Sequence, residues 1–215
     1  MFFEKTFDVK TDSGIIKCKS YTLREYTELL LSKDSNNSDL MKKAYSKILK
    51  NCTNGANLPK HDAELVLINL IARSEHVDKV YQDYECECGN EFSVELDLNK
   101  LQIDYGESNL DNLYPFKNFK LAFKWPELWD DDNIPLMIAK SIESIYVGNE
   151  QIFVEDLNDL EIEDLYGAIT EDDINYIKKF LLAPKPVLIV PTKCEKCGKS
   201  HVHIISGFKN IIEII

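Results

Sequence analysis

The sequence contains few of the features on which common enzyme classes depend. Only eight of its 215 residues are glycine, and no glycine-rich phosphate loop occurs. The GxSxG elbow of serine hydrolases, the HExxH helix of zinc proteases and the signature of zinc deaminases are also absent. We therefore expect no enzymatic activity, and an enzyme with an unrecognised site is the alternative.

Positive charge and long apolar runs are also scarce. The 25 basic residues face 37 acidic ones, which gives a net charge of −12 at pH 7. Such a chain repels phosphate backbones, so we expect protein partners and no nucleic acid. No stretch approaches the roughly 18 apolar residues of a membrane span, and residues 1–5 lack the basic start of a signal peptide. We expect a cytosolic protein with reduced thiols and no membrane partner.

Two short cysteine turns, more than 100 residues apart, are the most informative feature that is present. Each lies between two strand-like runs. A glycine follows the last cysteine of each turn, and glycine lets the backbone adopt positive φ and direct its amides toward a thiolate. The turns are Cys86-Glu87-Cys88-Gly89 and Cys194-Glu195-Lys196-Cys197-Gly198.

Together the two turns predict one metal site. The predicted ligands are Cys86, Cys88, Cys194 and Cys197. Four thiolates form a closed, structural, tetrahedral site, for which zinc is the leading candidate. The CxC half is tighter than the usual CxxC, and the gap between the halves is longer than in a compact zinc ribbon. There are three alternatives. The cysteines are reduced and bind no metal, they form a disulfide, or a histidine replaces one of them as a ligand.

The other candidate ligands have simpler interpretations. Alternation places His201 and His203 on one face of the last strand, where a packed or solvated histidine is expected. In the alternative site with a histidine ligand, that ligand would be His201 or His203. Cys18 and Cys52 are isolated among apolar residues, and we expect them to be buried core thiols.

The N-terminal third of the chain predicts a hairpin followed by three helices. Residues 3–9 and 15–18 form the predicted strands around a polar turn. The segment Thr22-Leu23-Arg24-Glu25 has the capping-box pattern of a helix start. The third predicted helix, after Pro59, is so rich in apolar residues that we expect it to be buried on several sides.

Acidic stretches mark the region between the cysteine turns. The run Trp129-Asp130-Asp131-Asp132-Asn133 is expected to be an N-terminal charge cap on a helix predicted over residues 135–144, and a divalent-ion site is the alternative. Residues 155–165 predict a solvated helix face, or a face that binds a basic partner. The apolar segment 208–215 should be covered by its own domain or by another chain.

These elements predict an α+β fold. Helix-rich lobes are expected around small antiparallel strand pairs, which a four-cysteine zinc-ribbon-like site clasps together. Residues 1–76 are predicted to form a hairpin plus a helical region, and residues 77–215 a zinc-clasped α+β region with a helical insertion. Alternatively, the two regions form one continuous domain.

The order of elements in residues 78–215 carries a family resemblance. The elements are the cysteine turn at 84–89, the helix around 138–142, the hairpin at 145–154, the acidic stretch at 156–165, the Phe180 helix and the segment from Pro186 through Gly198. In this order the chain resembles the baseplate hub proteins of T-even-type contractile-tail bacteriophages.

The resemblance implies a phage-encoded structural or chaperone-like assembly protein of the tail baseplate hub. Its partners would be other tail and baseplate proteins, in homo- or hetero-oligomers. It would act in the host cytoplasm during assembly, and its retention in the baseplate of the virion is left open. The resemblance implies no catalytic residues.

A zinc-ribbon adaptor for nucleic acid or transcription is the alternative function. The second cysteine turn has a local basic patch, formed by Lys193, Lys196, Lys199, His201 and His203. The net charge and the lack of a basic stripe with interleaved aromatic residues argue against this function. A metalloenzyme is a third interpretation, and it requires a metal with an open coordination position.

Overall fold

The computed structural model describes residues 5–35, 37–54, 57–106 and 112–215, and it has an α+β fold. The helices are α1 (Leu23–Asp34), α2 (Ser38–Cys52), α3 (Lys60–Ser74), α4 (Ile134–Ser141), α5 (Asp159–Gly167), α6 (Glu171–Leu181) and α7 (Phe208–Ile212). The strands are β1 (Thr6–Thr11), β2 (Gly14–Lys19), β3 (Lys79–Glu85), β4 (Glu91–Asp97), β5 (Gln102–Asp104), β6 (Leu113–Pro115), β7 (Lys120–Phe123), β8 (Ile142–Val147), β9 (Glu150–Phe153), β10 (Lys185–Lys193) and β11 (Ser200–Ser206). None of the helices in the described part of the chain combines the length and the hydropathy of a membrane span.

Helix starts follow the local signals in the sequence. At the start of α1, the backbone N–H of Thr22 donates to the Glu25 carboxylate at 2.9 Å, which confirms the predicted capping box. The N–H of Thr170 donates to Asp173 at the same distance at the start of α6. The side chain of Asn37 caps α2. Each cap satisfies amides that have no partner within the helix.

The chain divides into two compact units. The first comprises Met1–Asp104 and Lys185–Ile215, and the second comprises Tyr105–Pro184. The second unit is inserted between β5 and β10, which pair with each other in the first unit. The boundary expected after residue 76 lies inside the first unit, and separate folding of residues 1–76 stays a prediction.

Helix α3 lies at the centre of the first unit. It contacts the β1–β2 hairpin, α2, α7, β5 and β10. Val66, Leu67, Ile68 and Leu70 are each 0% exposed, which confirms the expected burial on several sides. Since α3 contacts β10, it links the packing of the N-terminal helices to the strand that carries the second cysteine turn.

The buried carboxylate of Asp62 anchors the β1–β2 turn to the first turn of α3. Asp62 is 0% exposed. Its oxygens accept the backbone N–H groups of Asp12 and Ser13 at 3.3 and 3.0 Å and the Ser13 hydroxyl at 2.5 Å. Amides in a hairpin turn cannot bond across the strand ladder, so the carboxylate supplies the acceptors that they need.

Replacing this anchor should destabilise the first unit. We expect Asp62→Ala to lower the free energy of unfolding by about 2 kcal/mol, because the exposed turn loses a charged acceptor for three hydrogen bonds and is left to bond to water. Asp62→Asn keeps one acceptor oxygen and should lose roughly half as much. Urea denaturation measures both. The control is Asp39→Ala in the first turn of α2, which should lower the free energy of unfolding by less than about 1 kcal/mol. If Asp62→Ala costs no more than this control, Asp62 does not anchor the turn.

Two hairpins of the first unit pack together through their inner faces. One is β3–β4, and the other is β10–β11, whose strand β10 also pairs with β5. The packed apolar cluster includes Val94 and Leu96 from the first hairpin and Leu188 from the second. The cysteine turns connect the strands of these hairpins, so the packing brings the turns side by side.

The apolar C-terminal segment is covered by its own unit. Ile211 in α7 is 0% exposed, and Ile214 and Ile215 pack against the cluster between the two hairpins. The ring of Phe208 meets that of Tyr45 edge-on, with centroids 5.2 Å apart. Of the two alternatives for this segment, burial within its own domain is therefore the one observed.

The second unit contains a sheet larger than the strand pairs that were predicted. Strands β6, β7, β8 and β9 form a four-stranded antiparallel sheet, and its core includes Leu121, Met137 and Ile177. The hairpin predicted at 145–154 is confirmed as β8–β9. The predicted helix 135–144 was too long, because α4 ends at Ser141 and the next residues pair with β7.

The acidic run before α4 is held within its own unit. Asn133, the last residue of the run, caps the helix by accepting the N–H of Leu136 at 3.2 Å. Asp130 accepts the N–H of Glu127 and forms an ion pair with Lys140 at 2.9 Å. The run therefore helps to shape the start of α4 through its own contacts.

Candidate metal centre

The four predicted ligand sulfurs lie within 4.8 Å of one another. The Sγ atoms of Cys86 and Cys197 are 3.7 Å apart, and those of Cys88 and Cys194 are 3.8 Å apart. All four are free cysteines, and Cys86 and Cys194 are buried whereas the other two are exposed. The two turns thus build one sulfur cluster that could hold a metal ion.

The two turns close through the same hydrogen bond, from the glycine N–H to the carbonyl of the first cysteine, although the second turn is one residue longer. The N–H of Gly89 donates to the carbonyl of Cys86 at 2.7 Å, and the N–H of Gly198 donates to that of Cys194 at 2.9 Å. Both glycines have a φ of 73°, as the sequence predicted. Because the second cysteine directly precedes the glycine in each turn, CxC and CxxC both direct two sulfurs to the same side.

Hydrogen bonds shift the pKa values of two thiols in opposite directions. The backbone N–H groups of Cys197 and Lys196 lower the pKa of Cys194 to about 6. For Cys86, the backbone N–H of Cys88 lowers the pKa, but burial and hydrogen bonds with the neighbouring thiols outweigh it and raise the pKa to about 12. Four sulfurs this close cannot all ionise without a cation among them.

His201 contacts the cluster, whereas His203 does not act on it. The Nε2 atom of His201 lies 3.2 Å from Cys86 Sγ. His203 packs on the ring of Tyr84, with centroids 3.7 Å apart, and its Nε2 lies 2.9 Å from the Thr192 hydroxyl. Both rings are half-buried on the inner face of β11, as alternation predicted. His201 is placed to hydrogen-bond a ligand sulfur, and the four cysteines complete the cluster without it.

Two further contacts join the turns and were not predicted from the sequence. The Asn90 amide nitrogen lies 3.7 Å from Cys194 Sγ. Lys199 pairs with Glu87, and this contact holds the pKa of the Glu87 carboxyl below its usual range. Both groups are exposed, so the ion pair adds little stability. No local pattern marks a turn residue as the partner of another turn more than 100 residues away.

The remaining cysteines lie away from the cluster in the core, as predicted. Cys18 and Cys52 are each 3% exposed, and burial raises the pKa of Cys18 to about 12. A neutral, buried thiol behaves as a small apolar side chain.

Asp12, His61 and Asp62 form a second group with atoms close enough to bind an ion. The hairpin turn already uses the carboxylate oxygens of Asp62. Burial lowers the pKa of His61, so the imidazole is neutral at neutral pH. These contacts give the group a structural role, and we assign no ion to it.

Comparison with known proteins identifies relatives along the whole chain. Residues 3–213 match the model of a family described as T4 bacteriophage base plate protein. The chain is 41% identical over 213 residues to the baseplate hub assembly protein gp26 of Enterobacteria phage T4, which covers 99% of this chain and 100% of the relative. No solved structure matches the chain.

Proposed function

Because the chain belongs to the family of T4 bacteriophage base plate proteins, we propose that it is an assembly protein of the phage baseplate hub. The observation that carries this proposal is the 41% identity to a hub assembly protein over the full length of both chains. The protein binds other baseplate proteins in the host cytoplasm while the tail is built, and it acts as a chaperone-like or structural component.

We further propose that Cys86, Cys88, Cys194 and Cys197 hold a structural zinc ion. Zinc–sulfur bonds of about 2.3 Å in a tetrahedron separate the sulfurs by about 3.8 Å. The contacts of 3.7 and 3.8 Å between the two turns match this spacing. A centre with four protein ligands has no open position for substrate or water, so its role is to join the two hairpins.

The charge distribution supports a function in protein binding. Residues 105–184 contain six lysines and 17 acidic residues, so this unit carries −11 of the net charge of −12. Helix α5 begins with Asp159 and Glu161 and exposes the side chain of Leu160, which is 73% exposed. An acidic surface with exposed apolar side chains attracts a basic protein partner and repels nucleic acid.

The first experiment captures the tagged protein from phage-infected cells, with and without nuclease treatment, and identifies its partners by mass spectrometry. We expect baseplate hub proteins that survive nuclease. Their stoichiometry, and the presence or absence of the chain in finished particles, separates a component from a chaperone. Recovery of polymerase subunits or of nuclease-sensitive complexes would instead favour the zinc-ribbon adaptor.

A second experiment removes the protein from the infection. Cells infected by a phage that lacks the gene should accumulate tail precursors without complete hubs, which sedimentation and electron microscopy detect. A wild-type copy of the gene supplied from a plasmid should restore assembly. Complete hubs in the absence of the protein would exclude the assembly function.

A further inference from the structure

The outer face of the β10–β11 hairpin is apolar and exposed. We define the outer face as Ile189, Pro191, Val202 and Ile204. Ile189 lies opposite Ile204, and Pro191 opposite Val202, in the strand register. Val202 and Ile204 are 60% and 62% exposed, and Ile189 is 41% exposed. The inner face of the same hairpin is covered by the β3–β4 hairpin, so the outer face is the one open to a partner.

Strand β11 is also an edge strand. The sheet order is β11-β10-β5, so within the described chain β11 has a neighbour on one side. At one end of the hairpin the N–H of Cys194 donates to the carbonyl of Lys199, and at the other end the N–H of Gly207 donates to the carbonyl of Pro186. In an antiparallel ladder these bonds recur at every second residue. The odd-numbered residues of β11 therefore bond to β10, and Val202 and Ile204 direct their N–H and C=O groups outward.

The edge lacks the usual protection against a further strand. Natural edge strands are blocked by proline, lysine or other charged side chains. The seven residues of β11, Ser200–Ser206, include no proline and no acidic residue, lysine or arginine. The outer face of β3–β4, by contrast, carries charged side chains such as Lys79, Glu91 and Glu95. The open edge at β11 is suited to pairing with an added strand.

Charge indicates the chemistry of the added strand. Residues 185–209 contain five lysines and one glutamate. Glu87 pairs with Lys199 and Glu213 pairs with Lys209, so the basic character of this surface rests on Lys185, Lys193 and Lys196. Lys193 ends the outer-face side of β10, beside the second cysteine turn, and is exposed. An incoming strand would lie two strand spacings, about 10 Å, from β10, so the long lysine side chain would reach across Ser200, its register partner, to a carboxylate on that strand. Residues 185–207 contain no arginine, phenylalanine, tyrosine or tryptophan, and the rings of His201 and His203 lie on the inner face, so the outer face favours a protein strand over nucleic acid.

A second copy of the chain fits this edge less well. Strand β11 contains no acidic residue, so the β11 strand of a second copy would bring no carboxylate to Lys193.

We propose that β11 is a docking edge to which a partner protein adds a β-strand with alternating aliphatic residues and a carboxylate placed near Lys193. This inference rests on the proposed assembly function and names the binding edge that it uses. The added strand would bond to the outward N–H and C=O groups of Val202 and Ile204, and its aliphatic side chains would extend the outer face.

Overlapping 15-residue peptides from the baseplate hub proteins of the same phage test the proposal. We expect the full-length protein to bind peptides with the alternating aliphatic and acidic pattern. Val202→Pro removes an outward N–H without removing a bond to β10, and Ile204→Glu places a repelling carboxylate on the outer face. Each should weaken binding by about tenfold or more in fluorescence anisotropy. Circular dichroism confirms that each variant is folded.

The matched control is Ile15→Glu, at a strand isoleucine that is 64% exposed in the β1–β2 hairpin. It should leave binding within about twofold of wild type. The proposal is overturned if no peptide binds, or if both β11 variants bind like wild type. A concentration-dependent dimer that Ile204→Glu abolishes would overturn the proposal and identify a second copy as the occupant. DNA binding that Lys193→Glu abolishes would overturn it and identify nucleic acid as the occupant.

Complementation separates this inference from the proposed function. If hubs fail to form without the protein but form with the Ile204→Glu variant, the docking edge is wrong and the assembly function stands. If hubs form without the protein, the assembly function itself is wrong.

Discussion

Replacement of a single cluster cysteine should abolish metal binding and destabilise the first unit together. The purified protein is expected to contain about one zinc per chain, and Cys194→Ser or Cys86→Ser should reduce this to nearly none. Structural zinc is coupled to folding, so the loss should exceed about 4 kcal/mol in the free energy of unfolding. The midpoint of thermal unfolding should fall by about 10 °C or more. Plasma emission spectroscopy and calorimetry measure the two effects, and a chelator should reproduce both in the wild-type protein.

A cysteine outside the cluster provides the control. Cys18 is as buried as Cys86 and Cys194, at 3% exposed against 2% and 1%. Because Cys18 lies outside the cluster, Cys18→Ser should retain one zinc per chain and lower the free energy of unfolding by only about 1 kcal/mol. Equal metal content in wild type and in a Cys86→Ser, Cys194→Ser double variant would rule out the proposed centre. Metal retained by either single variant but lost after a further His201→Ala replacement would show that the histidine is a ligand.

Local patterns predicted much of the fold because they act over a few residues. The capping box predicted at Thr22 fixes where α1 begins, since a side chain three residues away satisfies the free amides. The alternation around each cysteine turn predicted both hairpins of the centre. The same order of elements indicated the phage baseplate family, and the match over residues 3–213 confirms it and includes the N-terminal helices.

Pairings between distant segments could not be predicted in this way. Strands β5 and β6 have three residues each, too short for a recognisable alternation. Strand β5 forms because β10, more than 80 positions along the chain, bonds to it. That pairing closes the first unit around an insertion that has its own sheet. The end of α4 was misplaced for a similar reason, because pairing with β7 converts Ile142–Val147 to a strand.

The candidate centre shows the same division between local and distant information. Residue type and the following glycines identified the four sulfurs, because thiolates and positive φ are properties of single positions. Asn90 and the Glu87–Lys199 pair were missed, since their contacts depend on how the two turns face each other. The sequence therefore predicted which four cysteines lie together, the structure adds what joins the two turns, and metal binding by these cysteines stays a prediction.

Helix α3 should be the most sensitive apolar element of the first unit. Leu70 is 0% exposed in a helix that contacts both the N-terminal hairpin and β10. We expect Leu70→Ala to lower the free energy of unfolding by about 3 kcal/mol, with a range of about 2–5, because the cavity that it leaves can close only in part. Urea denaturation of the zinc-loaded protein measures the loss.

The matched control is Leu23→Ala at the first position of α1, where leucine is 79% exposed. That change should alter the free energy of unfolding by less than about 0.5 kcal/mol. Folded Leu70→Ala protein should still contain about one zinc per chain, because its cavity lies in the core and leaves the four thiols in place. Losing the metal at Leu70→Ala would mean that α3 positions the cysteine turns directly, through β10. A loss of stability with the metal retained would mean that core packing and metal binding stabilise the first unit as separate contributions.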